Sequence, residues 1–221
     1  MGWFSEMRAD VEKRTWPELK IFQAGAPLHQ SVIDVLRAYS MYRSDIGYIT
    51  GCHTIAALLL LNLDTAASAF IALANVLNRS LPLSFYAGDQ GARSSAYELV
   101  SQALAAKSPK LQRHIMSNSN PEGSMGNPDL LEMCLTDIFM SLFTRHLSLD
   151  DCTRLWDVYV FEGDRTLISA AAALLLEREM LLLSAQSAAD FRDVLEGSQS
   201  KLMTQGQDDD RFIKRVRDMG K

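Results

Sequence analysis

Arg14-Thr15-Trp16-Pro17 places a permanently charged fork of N–H donors directly before a rigid turn. Such a guanidinium suits bidentate recognition of a carboxylate or phosphate. Taken alone, an arginine at a helix end more often complements the helix dipole or sits in solvent. A second candidate is Gly47-Tyr48-Ile49-Thr50-Gly51-Cys52-His53-Thr54. Its two glycines punctuate a loop that enters the most apolar run of the chain, Ile55 to Asp64. The adjacent Cys52 and His53 invite a metal reading. Adjacent ligands at a helix start point in different directions, however, and no second pair stands at ligand spacing, so the sequence implies no metal site. No Gly-X-Ser-X-Gly elbow or papain-like cysteine signature occurs, nor any Walker A or Rossmann glycine pattern. Neither a hydrolase nor a nucleotide-binding fold is indicated.

The elements that must carry these residues are helical. Residues 3–14 are expected to form a short charged helix, ended where Pro17 pushes the preceding residue away from α geometry. Ser31 to Tyr42 has Val32, Val35, Leu36 and Tyr39 at helical spacing. Ile55 to Asp64, hydrophobic nearly all round, reads as a central core helix; its roughly ten residues fall far short of a bilayer span. Further helices are expected at Thr65–Leu77, Ser94–Ala106, Pro109–Met116, Asp129–Arg145, Ser148–Phe161, Asp164–Leu183 and Ser187–Glu196. Asn78 to Gly91 and the Ser/Asn/Gly/Pro-rich stretch from Ser117 to Pro128 read as loops. Gly163 and Asp164 look like a C-cap followed by an N-cap. Residues 197–221 are expected to be a weakly ordered tail with a loosely held terminal helix. No alternating strand pattern and no internal repeat occurs. The expectation is a single all-α domain over residues 1–221.

Composition narrows the function classes. The 221 residues are 48% hydrophobic and 22% charged, with a formal net charge of −5. That is ordinary globular composition, and the acidic balance argues against a broad nucleic-acid surface. Cys52, Cys134 and Cys152 lie far apart with no CxxC pair, which points to a reducing, cytoplasmic setting. Residues 1–6 lack the pattern of a signal peptide, Glu6 stands where a myristoylation motif wants Ser or Thr, and no transmembrane segment is expected.

Taken in order, three stretches resemble the TBC domain family of Rab GTPase-activating proteins over roughly residues 7–196. Arg14-Thr15-Trp16-Pro17 matches the core of the family's Asp-X-X-Arg-Thr-X-Pro motif, which implies that Arg14 is an arginine finger supported by Asp10, Thr15 and Pro17. Gly47-Tyr48-Ile49-Thr50-Gly51-Cys52 is similar to Gly-Tyr-X-Gln-Gly-Met, which implies that Thr50 stands at the glutamine-finger position, flanked by Tyr48 and Gly51. Arg154-Leu155-Trp156-Asp157-Val158-Tyr159 resembles the third motif, around its Trp-Asp pair. This chain departs from the family by spacing Asp10 four residues before Arg14 instead of three, by Thr50 and Cys52, and by having few residues before the arginine motif. The resemblance implies a TBC-type domain without its usual N-terminal helices. It implies an activator and not an enzyme in its own right, acting on a Rab-family small GTPase in vesicle traffic. GTP and magnesium would be bound by the partner, and the protein itself would need no cofactor. It would visit endomembranes peripherally through that partner. Asp157 is a candidate acceptor toward the loop of Thr50 or toward Arg14. The alternative is an impaired scaffold that binds a Rab without accelerating hydrolysis.

Overall fold

Residues 3–119, 130–196 and 210–220 are described by the computed structural model, and all their regular structure is helical. They divide into two compact units: residues 1–88 with 140–144, and residues 89–139 with 145–221. The expected loop lies outside the described residues from position 120 to 128, as do residues 197–209 of the tail.

The first unit starts with α1 (Trp3–Arg14), which buries Met7, Asp10 and Val11 along one stripe. Pro17 and the buried Trp16 end it. Trp16 adopts φ +35°, a left-handed conformation that is rare for a bulky residue, and its carbonyl closes a turn with Leu19 N–H at 2.8 Å. A short 3₁₀ turn (Lys20–Phe22) sets Phe22 beside the Trp16 ring, centroids 6.1 Å apart. It leads to α2 (His29–Tyr42), whose Val32, Ile33, Val35, Leu36 and Tyr39 are buried. The core helix is α3 (Cys52–Asn62), buried on every side from Cys52 to Leu60. A helix of that kind needs neighbours all round, and α1, α2 and α4 (Ala66–Leu77) pack on it. Thr65 caps α4 by accepting Ser68 N–H at 3.1 Å.

Residues expected as loop between Asn78 and Gly91 contain a helix, α5 (Ser80–Tyr86). Pro82 is its third residue, where the backbone N–H has no intrahelical partner, so proline costs little there. The segment 140–144 completes this unit. Leu142 and Phe143 both have left-handed φ, +46° and +69°, and both are fully buried. Their burial offsets a backbone cost of roughly 1–2 kcal/mol each. That is why the helix expected to run to Arg145 stops at Met140.

The second unit holds α6 (Gln90–Lys107), capped by Asp89, then α7 (Pro109–Ser119) and α8 (Leu130–Met140), of which all but Met140 belongs to this unit. After them come α9 (Leu149–Glu162) and α10 (Arg165–Glu177), followed by α11 (Glu179–Ser184) and α12 (Ala188–Glu196). The alanines of α10 lie at its centre: Ala170 to Ala173 are wholly buried, and α6, α9 and α13 (Arg211–Met219) pack around it. Gly163 ends α9 at φ +86°, as expected. Asp164 takes the N-cap position of α10 without a side-chain cap bond. The helix expected through Leu183 breaks at Arg178, whose buried guanidinium donates to the carbonyls of Val194, Leu195 and His146. The terminal helix expected to be loosely held buries Phe212, Ile213 and Val216.

Candidate functional site

Asp10 is the centre of the site. Its side chain is 3% exposed. Oδ1 lies 3.1 Å from Arg14 Nη1, one helical turn on. Oδ2 accepts from Tyr48 Oη at 2.7 Å. Thr15 Oγ1, just past the end of α1, donates back to the Asp10 carbonyl at 3.3 Å. The four-residue spacing therefore pairs Asp10 with Arg14 on one helix face. Arg14 itself is 65% exposed. One end of its guanidinium is held by a buried carboxylate and the rest faces solvent. Pro17 is exposed and acts through the turn.

The turn from Gly47 to Gly51 needs glycine for close approach at Gly47 and for backbone conformation at both ends; at Gly51 a Cβ would meet only ordinary contact. A Cβ on Gly47 would lie 2.5 Å from Trp3 Cζ2, and one on Gly51 would lie 3.5 Å from the Met140 carbonyl oxygen. Both residues have positive φ, +73° and +109°. Between them Tyr48 turns inward to Asp10, while Thr50 is half-buried and donates to Glu6 Oε1 at 3.3 Å. Glu6, Asp10 and Arg14 recur every four residues, so one stripe of α1 runs beside this turn. Glu6 and Arg14 are about 12 Å apart along the axis.

Two residues behind the turn settle its chemistry. His53 is buried, and Gly51 N–H donates to its Nδ1 at 3.3 Å, so that nitrogen is an acceptor and the ring proton is on Nε2. The 3.8 Å approach of His53 Nδ1 to Asp10 is therefore not an ion pair. Cys52 points the other way, its Sγ 3.5 Å from Tyr86 Oη, which in turn donates to the Met140 carbonyl at 2.6 Å. Burial pushes the Cys52 thiol up to about 11, leaving it protonated and poorly nucleophilic at neutral pH. Burial, reinforced by the hydrogen bond to Asp10, also holds the Tyr48 phenol far above its usual value, so it remains a donor. The arrangement contains no activated nucleophile. What it offers is an anchored, exposed guanidinium aimed outward.

Trp156 and Asp157 belong to the second unit. Trp156 is buried in α9. Asp157 is exposed and lines a groove with Arg154, Val158, Asp210, Ile213, Lys214 and Arg217. Glu6 and Tyr86 were missed from sequence, and His53 was weighed there only as a metal ligand beside Cys52. Only Glu6 left a signal, since it stands on the Asp10–Arg14 stripe.

Comparisons with known proteins fit this geometry. The Rab-GTPase-TBC domain model matches residues 3–183. The TBC1 domain family member 14 of Bos taurus is 38% identical over 162 residues, 73% of this chain and 22% of that protein. Drainin of Dictyostelium discoideum is 35% identical over 161 residues, 73% of this chain and 34% of its own. The match thus spans about a third or less of these relatives. The crystal structure of the Chlamydomonas flagellar RabGAP TBC domain shares the fold, with a TM-score of 0.73 at 23% identity, covering 98% of this chain and 67% of that one. The chain belongs to the Rab-GTPase-TBC domain family.

Proposed function

We propose that this chain binds a GTP-loaded Rab-family GTPase and stimulates its hydrolysis by placing Arg14 in the partner's nucleotide site. The observation that carries this reading is Arg14 itself: anchored on buried Asp10 and 65% exposed. Phosphoryl transfer spreads charge over the phosphate oxygens, and a positioned guanidinium stabilises it. Because the fork is held before the partner arrives, little side-chain freedom remains to be lost in the encounter. GTP and magnesium stay on the partner; this chain contributes a charge and a surface.

Thr50 makes the activation weaker. A glutamine at that position can accept from the attacking water and donate toward the transferred phosphate. Threonine has one hydroxyl on a short, stiff side chain, and here it donates to Glu6. Water alignment then falls to the partner's own residues. The second reading, binding without acceleration, rests on that same hydrogen bond. Single-turnover GTP hydrolysis across a panel of Rab proteins, with binding measured separately, decides between them. Stimulation that Arg14→Ala removes supports activation; binding with no stimulation by the wild type supports the scaffold.

A further inference from the structure

We infer that the face formed by α13 and the end of α9 is a binding surface for anionic lipid headgroups, through which this chain contacts membranes directly. On α13 the buried residues Phe212, Ile213 and Val216 occupy one arc. Around the rest of the helix stand Arg211, Lys214 and Arg217, all exposed, the half-buried Arg215, and Asp218 as the one acid. That is three positive charges in excess within a chain of net charge −5. The helix lies beyond residue 183, where the family match ends.

A charged arc alone is a common solvated face. The second observation is Phe161, which is 90% exposed and neighbours Val160 at 48%. Its position is fixed by the grooves on either side. Arg154, Asp157 and Val158 of α9 face Asp210, Ile213, Lys214 and Arg217, and one turn further on Glu162 and Arg165 face Val216, Arg217, Met219 and Gly220. Phe161 lies in sequence between these two sets, on the exposed side of α9, the helix that packs against α13. The acids nearby are Asp157, Glu162, Asp164, Asp210 and Asp218, and Asp210 is taken up by Arg154 at 2.9 Å. Arg165 adds a further exposed base.

An acidic protein would also pair with these bases. It would not by itself explain a large apolar ring that is 90% exposed to solvent. Interfacial membrane binding asks for that combination: apolar side chains entering the acyl boundary, ringed by bases that hold anionic headgroups. A TBC-type domain held by its own lipid contact would meet its partner in two dimensions, raising its effective concentration there.

The test is flotation of the whole chain with vesicles, with no GTPase present, so the outcome is independent of the activation proposed above. Vesicles of phosphatidylcholine with phosphatidylserine should retain the protein, and phosphatidylcholine alone should not. Raising the salt should release it, because headgroup attraction is screened within a Debye length. Arg211→Glu/Arg217→Glu should lower the partition at least about tenfold, each base being worth roughly fivefold at an anionic surface. Phe161→Ser should lower it on the same vesicles without altering the melting temperature, since the ring touches little of the protein. If the charge-reversed protein fails to fold, Arg211→Gln/Arg217→Gln serves in its place. Absence of retention, equal retention on neutral vesicles, or retention indifferent to both variants overturns the inference. So does loss of Rab binding in the variants with vesicle binding intact, which would make this face a protein interface.

Discussion

Tyr48 Oη donates to Asp10 Oδ2 across 2.7 Å, joining two motifs 38 residues apart in the chain. One buried carboxylate thereby holds both the Gly47–Gly51 turn and Arg14. Tyr48→Phe should cost about 1–3 kcal/mol, because it leaves a buried carboxylate oxygen without its donor. The same change should also reduce stimulation of GTP hydrolysis, since Asp10 is then free to shift. Denaturant unfolding and single-turnover assays read the two effects. Unchanged stability would mean that water replaces the phenol.

Arg14, and not Lys13, is expected to act on the partner. Arg14→Ala should remove most stimulation, on the order of 10³-fold or more if the finger works at full strength. Arg14→Lys should do nearly the same, since an ammonium cannot form the bidentate fork. Full activity in Arg14→Ala together with loss in Lys13→Ala would reverse the assignment.

Thr50→Gln should raise the hydrolysis rate of a cognate Rab roughly several-fold through better water placement, with binding nearly unchanged. Glu6→Ala, which frees the Thr50 hydroxyl, should change the rate far less, because that hydroxyl cannot reach as far as a carboxamide. A wild type already fully active and indifferent to both Thr50→Gln and Thr50→Ala would deny this position any finger role.

Neighbouring residues on α9 should behave oppositely. Trp156 is buried, and Trp156→Ala should lower stability by about 3–5 kcal/mol. Asp157 is exposed, and Asp157→Ala should stay within about 0.5 kcal/mol of wild type. Equal thermal shifts would mean that Asp157 is structural. Any loss of stimulation in Asp157→Ala at unchanged melting temperature would give it a part in the partner contact.

Acid should act on the second unit in two steps. Burial lowers the His146 pKa against the pull of Asp137, whose Oδ2 lies 3.2 Å from Nε2. A folded-state value below the unfolded one means that stability is complete above roughly pH 6.5 and falls as the pH drops below it, because the unfolded chain gains the proton first. For Asp137 burial acts upward, but the hydrogen bond from His146 and the nearby positive charges outweigh it and hold the carboxyl low. Its contribution is present above the ordinary aspartate value and is lost only as the pH falls through the depressed one. Melting temperature against pH should therefore decline first in mild acid and again in strong acid. His146→Gln should flatten the first decline whatever it does to the plateau.

Most of this fold was legible because its helices announce themselves. The 3.6-residue spacing of Val32, Val35, Leu36 and Tyr39 and the C-cap at Gly163 are local signals. What escaped was decided at a distance. Nothing near Leu142 or Phe143 announces left-handed backbone; only the core that takes their side chains makes it tolerable. Pro82 suggested a loop and turned out to be in a first helical turn. The break at Arg178 depends on carbonyls 16 and more residues further along or, for His146, 32 residues back. The site divides in the same way. Arg14 and its turn could be placed from residue order, whereas the inward bond of Tyr48, the Glu6–Thr50 contact and the tautomer of His53 need the helices assembled.

The short piece 140–144 also sets a schedule for synthesis. Arg14, Asp10, Tyr48 and Thr50 all emerge early from the ribosome, yet Thr54 Oγ1 meets Thr144 Oγ1 at 2.6 Å and Tyr86 Oη meets the Met140 carbonyl. Translation at about 5–20 residues per second puts seconds between the end of α5 and the arrival of those partners. A nascent chain arrested before Met140 should therefore carry every residue of the arginine turn and still be cut readily by protease. One arrested far enough past Thr144 for that piece to clear the exit tunnel should resist.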